Sequence, residues 1–254
     1  MGGFLPVLPL GERVLLPSVS PLFDLFPELA EVPELLVHSV RTARYAFLLS
    51  RLLGLGRPRV LFCAGALHDV GKLLVSRDIL EKPGPLLGSQ WKMIVRHPLW
   101  SFELVESRCR GMRGLKDILP AVRAHHEAWD GTGYPEGLKG TSIPLEARIL
   151  ALADVFDALT SPRPYRAPLN SGQALEIMAQ MAGHKLDPYL FEKARILLSL
   201  LQGGKGLMSD TTKKRSIVQI FTLWFFPLRR ETNSSTRPGG SWNGSPATTP
   251  LQAF

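Results

Sequence analysis

Cysteine is scarce in this chain of 254 residues, which contains only Cys63 and Cys109. The two do not form a C-x-x-C pair, and so few cysteines do not make a disulfide framework. This usage suits a reducing compartment, and we expect a cytoplasmic protein. Cys63 lies in an apolar run, where a buried and unreactive thiol is the favoured interpretation.

Long apolar runs are also lacking, since no stretch reaches the roughly 18 apolar residues needed to span a bilayer. The first 27 residues contain five prolines and no basic start, so we do not expect a signal peptide. The net charge is +8, but residues 203–254 hold seven Lys/Arg and two Asp/Glu and thus carry +5 of it. The small remaining charge does not argue for a nucleic acid polymer as partner.

Sustained alternation of apolar and polar residues, which is typical of strands, occurs in no segment. Apolar residues instead recur at steps of three and four, which predicts an all-α bundle of several helices. The predicted helices are a first one from Glu28 to a stop at Gly54, then Arg57–His68, Ser89–Val105, Leu115–Glu127, Leu145–Leu159, Gly172–Met181 and Pro188–Leu201.

Composition divides the chain into three regions. Residues 1–27 are apolar and broken by prolines, and we expect them to be a lead-in that packs on the helical body, residues 28–202. Residues 203–254 are rich in Gly, Ser, Thr, Pro and basic residues, with one apolar island at 217–228. A flexible extension is the favoured interpretation of this tail, and a segment lying on a membrane surface is the alternative.

Five of the six histidines and one aspartate form a regular series along the helical body. Successive members are 28 to 30 residues apart, about one helix and one connection, so neighbouring helices can direct ligands to one point. Histidines that only pack in a core have no reason to keep this spacing, and we interpret the series as a metal site. Its members are His38, His68, His97, the pair His125 and His126, and Asp154.

The neighbours of these residues add detail to the predicted site. Asp69 follows His68 directly, so the two side chains project about 100° apart on one helix and can face two metal ions. Lys72 lies four residues after His68, where an ammonium group can neutralise phosphate oxygens. Glu34 precedes His38 by four residues and shares its helical face. Imidazole and carboxylate ligands without thiolates favour Fe, Mn or Zn over a structural zinc site.

Two stretches carry a resemblance to a known family. His68–Lys72 resembles the H-D-x-G-K signature of the HD superfamily of metal-dependent phosphohydrolases. The stretch 125–135, HHEAWDGTGYP, is more specific and resembles the H-H-E-x-x-D-G-x-G-Y-P motif of the HD-GYP subfamily. The resemblance covers about residues 34–200 with the motifs in family order, and it implies an HD-domain bundle with a metal centre in its core. Further matching segments are Lys82-Pro83-Gly84, His97-Pro98, Ala153–Ser161, Arg163–Arg166 and Asp187-Pro188.

The resemblance implies a role for each candidate residue. It assigns two or three divalent ions, iron or manganese, with Glu34 and His38 matching the members that hold a third ion. It makes Asp69 and Lys72 catalytic, with Lys72 on the scissile phosphate. Asp157 lies about one helical turn after Asp154, and we expect it to orient ligands from behind. The other implied metal ligands are His68, His97, His125, His126 and Asp154; the implied substrate contacts are Tyr134, Arg163 and Arg166.

The implied function is hydrolysis of cyclic di-GMP to linear pGpG, GMP or both. Two alternatives remain open: a hydrolase of another nucleotide such as cyclic GMP-AMP, and a non-catalytic module that binds the messenger or partner proteins. Tyr134 either lines the site, contacts a protein partner or belongs to a rigid turn. The residues do not define an oligomeric state. Two positions depart from the family pattern, Ser101 in place of glycine and Pro162 in place of an acidic residue.

Overall fold

The computed structural model describes residues 24–82, 86–162 and 167–203. In these ranges the regular structure is helical apart from one isolated bridge between Ala182 and Leu186, which confirms the all-α prediction. None of the helices in these ranges combines the length and apolar character that crossing a bilayer requires. The helices are α1 (Pro33–Leu53), α2 (Pro58–Leu67), α3 (Arg77–Leu80), α4 (Gly88–Ile94), α5 (His97–Arg108), α6 (Leu115–Ala124), α7 (Leu145–Thr160), α8 (Ser171–Met181) and α9 (Pro188–Gly203), with 3-10 helices at Pro27–Glu31, Val70–Leu74 and Gly140–Ser142.

Some sequence predictions fall outside these ranges. The implied substrate contacts Arg163 and Arg166 are among them, as are nearly all of the predicted lead-in and the tail beyond residue 203. Of the predicted lead-in, Phe26 at its end is fully buried in the core.

The ends of α1 follow from local chemistry. The helix begins at Pro33, whose missing N–H is not needed in the first turn. It ends at Gly54, which adopts a left-handed conformation with φ of 65° that glycine tolerates at a helix end. The predicted stop at Gly54 is confirmed, whereas the helix starts five residues after Glu28 because Pro27–Glu31 forms a 3-10 helix.

The predicted helix Ser89–Val105 is wrong in one respect, because the structure divides it into α4 and α5 around Val95 and Arg96. Pro98 gives the physical reason. A proline inside a continuous helix removes one backbone hydrogen bond and clashes with the preceding turn. In the first turn of α5 it is tolerated, and α5 therefore starts at His97.

The predicted helix Leu115–Glu127 also ends early, at Ala124. The amide of Glu127 donates to the carbonyl of Ala124 at 3.0 Å, a tight turn that ends the helical ladder. His125 and His126 therefore lie in the turn after α6. Their side chains point to the interior from a helix end rather than from a helix face.

Two helices, α1 and α2, form the centre of the bundle. Gly65 of α2 allows the two backbones to meet, since a Cβ atom there would lie 2.6 Å from Cα of Ala43 in α1. Both helices also pack on α7, and α6 packs on α2 and α7. Cys63 is buried as predicted. The side chains that fill this core include Leu49, Leu61, Phe62, Ile149 and Phe156.

A second close approach joins the 3-10 helix Val70–Leu74 to α5. The amide of Gly71 donates to Oγ of Ser101 at 2.8 Å. A Cβ atom at Gly71 would lie 2.5 Å from N of Ser101 and would also overlap the carbonyl oxygen of His97. Ser101, which stands where the family pattern has glycine, thus accepts a buried hydrogen bond from Gly71. The close approach of Gly71 to α5 brings the start of that helix next to Asp69.

Gly71→Ala is expected to destabilise the metal-free protein by about 1–3 kcal/mol, because the added methyl group overlaps the backbone of α5. Urea unfolding followed by circular dichroism measures this change. Gly88→Ala is the matched control, since a Cβ atom at Gly88 meets no atom within 4 Å. Equal stability of the two variants would contradict the close approach of Gly71 to α5.

Candidate metal centre

The fold brings most of the predicted ligand residues together at one buried point. His38 comes from α1 and Asp154 from α7, while the others stand at helix ends. His68 and Asp69 follow α2, and His97 is the first residue of α5. His125 and His126 complete the set from the turn after α6.

Three of the histidines form the same type of hydrogen bond to the backbone. Nδ1 of His68, His97 and His125 lies 2.7, 2.6 and 2.7 Å from the carbonyl oxygen of the residue three positions earlier. A carbonyl oxygen only accepts hydrogen bonds, so each Nδ1 carries the proton. In the neutral ring Nε2 then keeps a free lone pair, which is the form that binds metal ions.

Asp69 stands at the centre of these lone pairs. Its Oδ1 lies 3.0 Å from Nε2 of His97 and 3.8 Å from Nε2 of His125. Its Oδ2 lies 3.4 Å from Nε2 of His68 and 3.6 Å from Nε2 of His38. The carboxylate thus faces histidines on both sides, which is the position of a bridging ligand.

The ligand atoms fall into two groups that share Asp69. In each group the atoms lie within 4.8 Å of one another. Asp154 adjoins the group of His38, since its Oδ1 lies 3.0 Å from Nε2 of His38 and 3.9 Å from Nε2 of His68. The first group consists of Asp69, His97, His125 and His126, and the second of His38, His68 and Asp69.

Glu34 is placed differently from the other predicted ligands. It is exposed one helical turn before His38 and belongs to neither group. His184, which the sequence analysis left out of the series, is a surface residue with its side chain 77% exposed.

The donor set fits metal ions. Nε2 of His68 and Oδ1 of Asp69 are buried and have no hydrogen-bond partner. Nε2 of His97 lies 3.3 Å from Nε2 of His125, and both atoms carry lone pairs by the tautomer argument. Buried acceptors that face one another repel unless a cation lies between them. This arrangement therefore suits bound cations and has little value as a packed core.

The protonation states of His125, His126 and Asp69 agree with this interpretation. Burial lowers the pKa of His125 well below its usual value and that of His126 to about 3. Burial by itself would raise the pKa of Asp69, but its interactions with His68 and Lys72 outweigh burial and hold the pKa well below the usual range. Neutral imidazoles and ionised carboxylates are the forms that bind metal ions.

His38 is oriented by a hydrogen-bonded network that the sequence did not reveal in full. Nδ1 of His38 lies 2.7 Å from Oδ2 of Asp157. Asp157 also accepts hydrogen bonds from Nε of Arg41 at 2.6 Å and from Oγ of Ser161 at 3.1 Å. Burial by itself would lower the pKa of His38, but Asp154 and Asp157 raise it to about 9. Arg41 and Ser161 are thus supporting residues that the motif analysis missed.

The loop with the G-Y-P residues is held by Glu127, which the sequence analysis did not single out. The buried carboxylate accepts hydrogen bonds from the amides of Glu136 and Leu138 at 2.7 and 2.9 Å. The amide of Tyr134 donates to the carbonyl of His126 at 3.2 Å. The Tyr134 ring consequently lies 4.9 Å from the ring of His126, at an interplanar angle of 31°.

The fold and the site agree with what sequence comparison finds. A sequence model of the HD domain matches residues 27–190, more than half of the chain, and the protein belongs to the HD-domain family.

Individual relatives are phosphodiesterases of bacteria. The chain is 37% identical to the 3'3'-cGAMP-specific phosphodiesterase 3 of Vibrio cholerae over 68% of this chain and 37% of that protein. It is 40% identical to a cyclic di-GMP phosphodiesterase of Pseudomonas aeruginosa over 70% of this chain and 47% of that protein. The chain thus spans less than half the length of these curated relatives.

A solved structure shows the same fold. It is an HDG"Y"P protein from Bdellovibrio bacteriovorus, with a TM-score of 0.52 and 18% identity. The match covers 65% of this chain and 52% of that one. At this identity the similarity concerns the fold alone.

Asp157→Asn is expected to weaken metal binding by about 10- to 100-fold, because the amide no longer fixes His38 as the carboxylate does. Metal content after dialysis against a graded chelator measures the change without reference to activity. Asp117→Asn is the matched control, because Asp117 forms an exposed ion pair with Arg57 and belongs to neither ligand group. Unchanged metal retention in Asp157→Asn would show that this network does not support a metal ligand.

Proposed function

We propose that the protein is a metal-dependent phosphodiesterase that hydrolyses cyclic di-GMP to linear pGpG, GMP or both. The observation that carries this proposal is the convergence of buried imidazole and ionised carboxylate side chains around Asp69. The names of the relatives supply the substrate class, cyclic dinucleotides. A phosphodiester needs positive charge on its oxygens and an activated water molecule, and the site is suited to both.

The ions would be iron or manganese, two or three per chain. Bound divalent ions supply positive charge for the phosphate oxygens and lower the pKa of water. A third ion requires Glu34 to join His38, and the exposed Glu34 side chain would have to turn inward for this. Metal analysis that never exceeds two ions per chain would count against the third. The residues that would hold the other ions are His68, Asp69, His97, His125, His126 and Asp154.

Lys72 provides the cation of the protein itself at this site. Its Nζ donates to Oδ2 of Asp69 at 2.6 Å, and its side chain is 24% exposed. The ammonium group of Lys72 is thus held beside Asp69, the candidate bridging ligand. It remains partly exposed and therefore accessible to a substrate. A phosphate oxygen that approaches Asp69 meets this charge, which stabilises the transition state more than the ground state. Arg163 and Arg166 are proposed to hold the other phosphate oxygens.

Cyclic GMP-AMP is the second candidate substrate, because one of the relatives is named for it. The proposed chemistry is the same, since the two messengers differ in one base and share the phosphodiester linkages. A non-catalytic binding module has less support. A site that binds a messenger without cleaving it needs neither a carboxylate shared by two groups of metal ligands, as Asp69 is, nor a lysine such as Lys72 beside it.

The decisive experiment supplies anaerobically purified protein with Fe(II) or Mn(II) and offers both messengers separately. Chromatography of the products is expected to show metal-dependent cleavage, with cyclic di-GMP cleaved faster. Faster cleavage of cyclic GMP-AMP would transfer the assignment to that substrate. Tight binding without cleavage by either metal form would identify a receptor instead.

Two histidine variants control this experiment. His125→Ala is expected to abolish turnover without unfolding the protein, because it removes a buried lone pair from the first group. His184→Ala is expected to retain full turnover, because this side chain is exposed and outside both groups. Full activity of His125→Ala would refute the assignment of the site.

Lys72→Ala is expected to lower kcat by about 100- to 1,000-fold, because it removes one charged donor from the developing negative charge. The metal content should remain that of the wild type, since Lys72 contributes no metal-binding lone pair. Lys116→Ala removes an exposed lysine and serves as the control. A loss of metal that parallels the loss of activity would show that Lys72 acts on the site's assembly and not on the phosphate.

A further inference from the structure

A half-exposed tryptophan stands beside the candidate metal centre. Trp91 of α4 is 50% exposed, and its ring centroid lies 6.2 Å from that of Tyr134. Tyr134 in turn lies against the ring of His126, a candidate ligand. The three rings thus form a continuous row from solvent to the metal site.

The exposure of Trp91 is not explained by a poorly held helix. The side-chain oxygen of Gln90 accepts hydrogen bonds from the amide of Leu87 at 2.9 Å and from Nζ of Lys82 at 2.8 Å. This ties the start of α4 to the preceding segment. Leu87, one turn before Trp91 and on the same face, is 63% exposed. An anchored helix therefore presents an apolar surface to solvent at the edge of the site.

The geometry of the ring contact leaves Trp91 open for a planar ligand. The planes of Trp91 and Tyr134 meet at 81°, an edge-to-face arrangement. Such a contact occupies at most one face of the indole, so at least one face remains free of Tyr134. An indole face that Tyr134 does not cover, half-exposed beside the candidate metal centre, is a surface on which a nucleobase can stack.

We propose that Trp91 is a substrate-binding residue that stacks on one nucleobase of the cyclic dinucleotide while the adjoining phosphate lies at the metal centre. This inference rests on the proposed function. Only a sugar separates base from phosphate, which matches the short row from Trp91 through Tyr134 to His126. Because every base has a π-face, the contact strengthens binding of guanine and adenine alike.

The test compares Trp91→Ala and Trp91→Phe with Met93→Ala in the metal-loaded full chain. Met93 is 38% exposed in the same helix but two residues on, and therefore on another face. Trp91→Ala is expected to raise KM for the cleaved cyclic dinucleotide by about 5- to 100-fold. Trp91→Phe should recover most of the affinity, and Met93→Ala should match the wild type.

Inorganic phosphate separates base stacking from damage to the metal centre. It has no base, so its inhibition constant should be the same in all four proteins. A weakened inhibition by phosphate in Trp91→Ala, or an unchanged KM in that variant, would overturn the role of Trp91 and leave the proposed function standing.

A fluorescence titration with cyclic di-GMP makes the two proposals separable. If the wild type cleaves no cyclic dinucleotide but its fluorescence is quenched on binding, and Trp91→Phe loses most of that quenching, the stacking role stands without the enzymatic one. Binding that quenches both proteins equally excludes stacking on Trp91. If the wild type neither cleaves nor binds cyclic di-GMP, both proposals are refuted.

Discussion

Mutual repulsion of buried lone pairs around Asp69 is the constraint on which the rest of the structure depends. Oxygen and nitrogen acceptors removed from water lose their hydration, and some of them, such as Nε2 of His97 and Nε2 of His125, face one another instead of donors. A chain left to itself would relieve this by turning the side chains outward. The site persists because several ligands are held from behind, His38 by Asp157 and three other histidines by backbone carbonyls, so its formation is a property of the whole bundle.

Helix ends are the means by which the bundle holds three of these ligands. The last carbonyl groups of a helix have no intrahelical partner. His68 and His125 use such carbonyls at the ends of α2 and α6 to fix their rings. His97 uses the carbonyl of Ile94 at the end of α4 in the same way. The break that Pro98 imposes before α5 is thus part of the site, because a continuous helix would have no free carbonyl there.

This explains what the sequence could and could not predict. The spacing of the histidines predicted convergence because each step spans one helix and a connection, and helices of a bundle are neighbours. The supporting groups are less visible. Arg41 meets Asp157 across 116 positions and Gly71 meets Ser101 across 30, and no local pattern encodes such pairs. Pro98 predicts a helix break near Val95. Apolar residues keep their helical spacing across this point, however, and this pattern favours one continuous helix.

The metal centre by itself cannot determine which cyclic dinucleotide is cleaved. Relatives of similar identity to this chain are named for cyclic GMP-AMP and for cyclic di-GMP. The two messengers share the phosphodiester that a metal centre handles and differ only in a base. Discrimination under the proposed function must therefore come from groups that reach the bases. A tryptophan that stacks on any base adds affinity without choosing between them. Selectivity then requires hydrogen-bond partners that distinguish the edge of guanine from the edge of adenine.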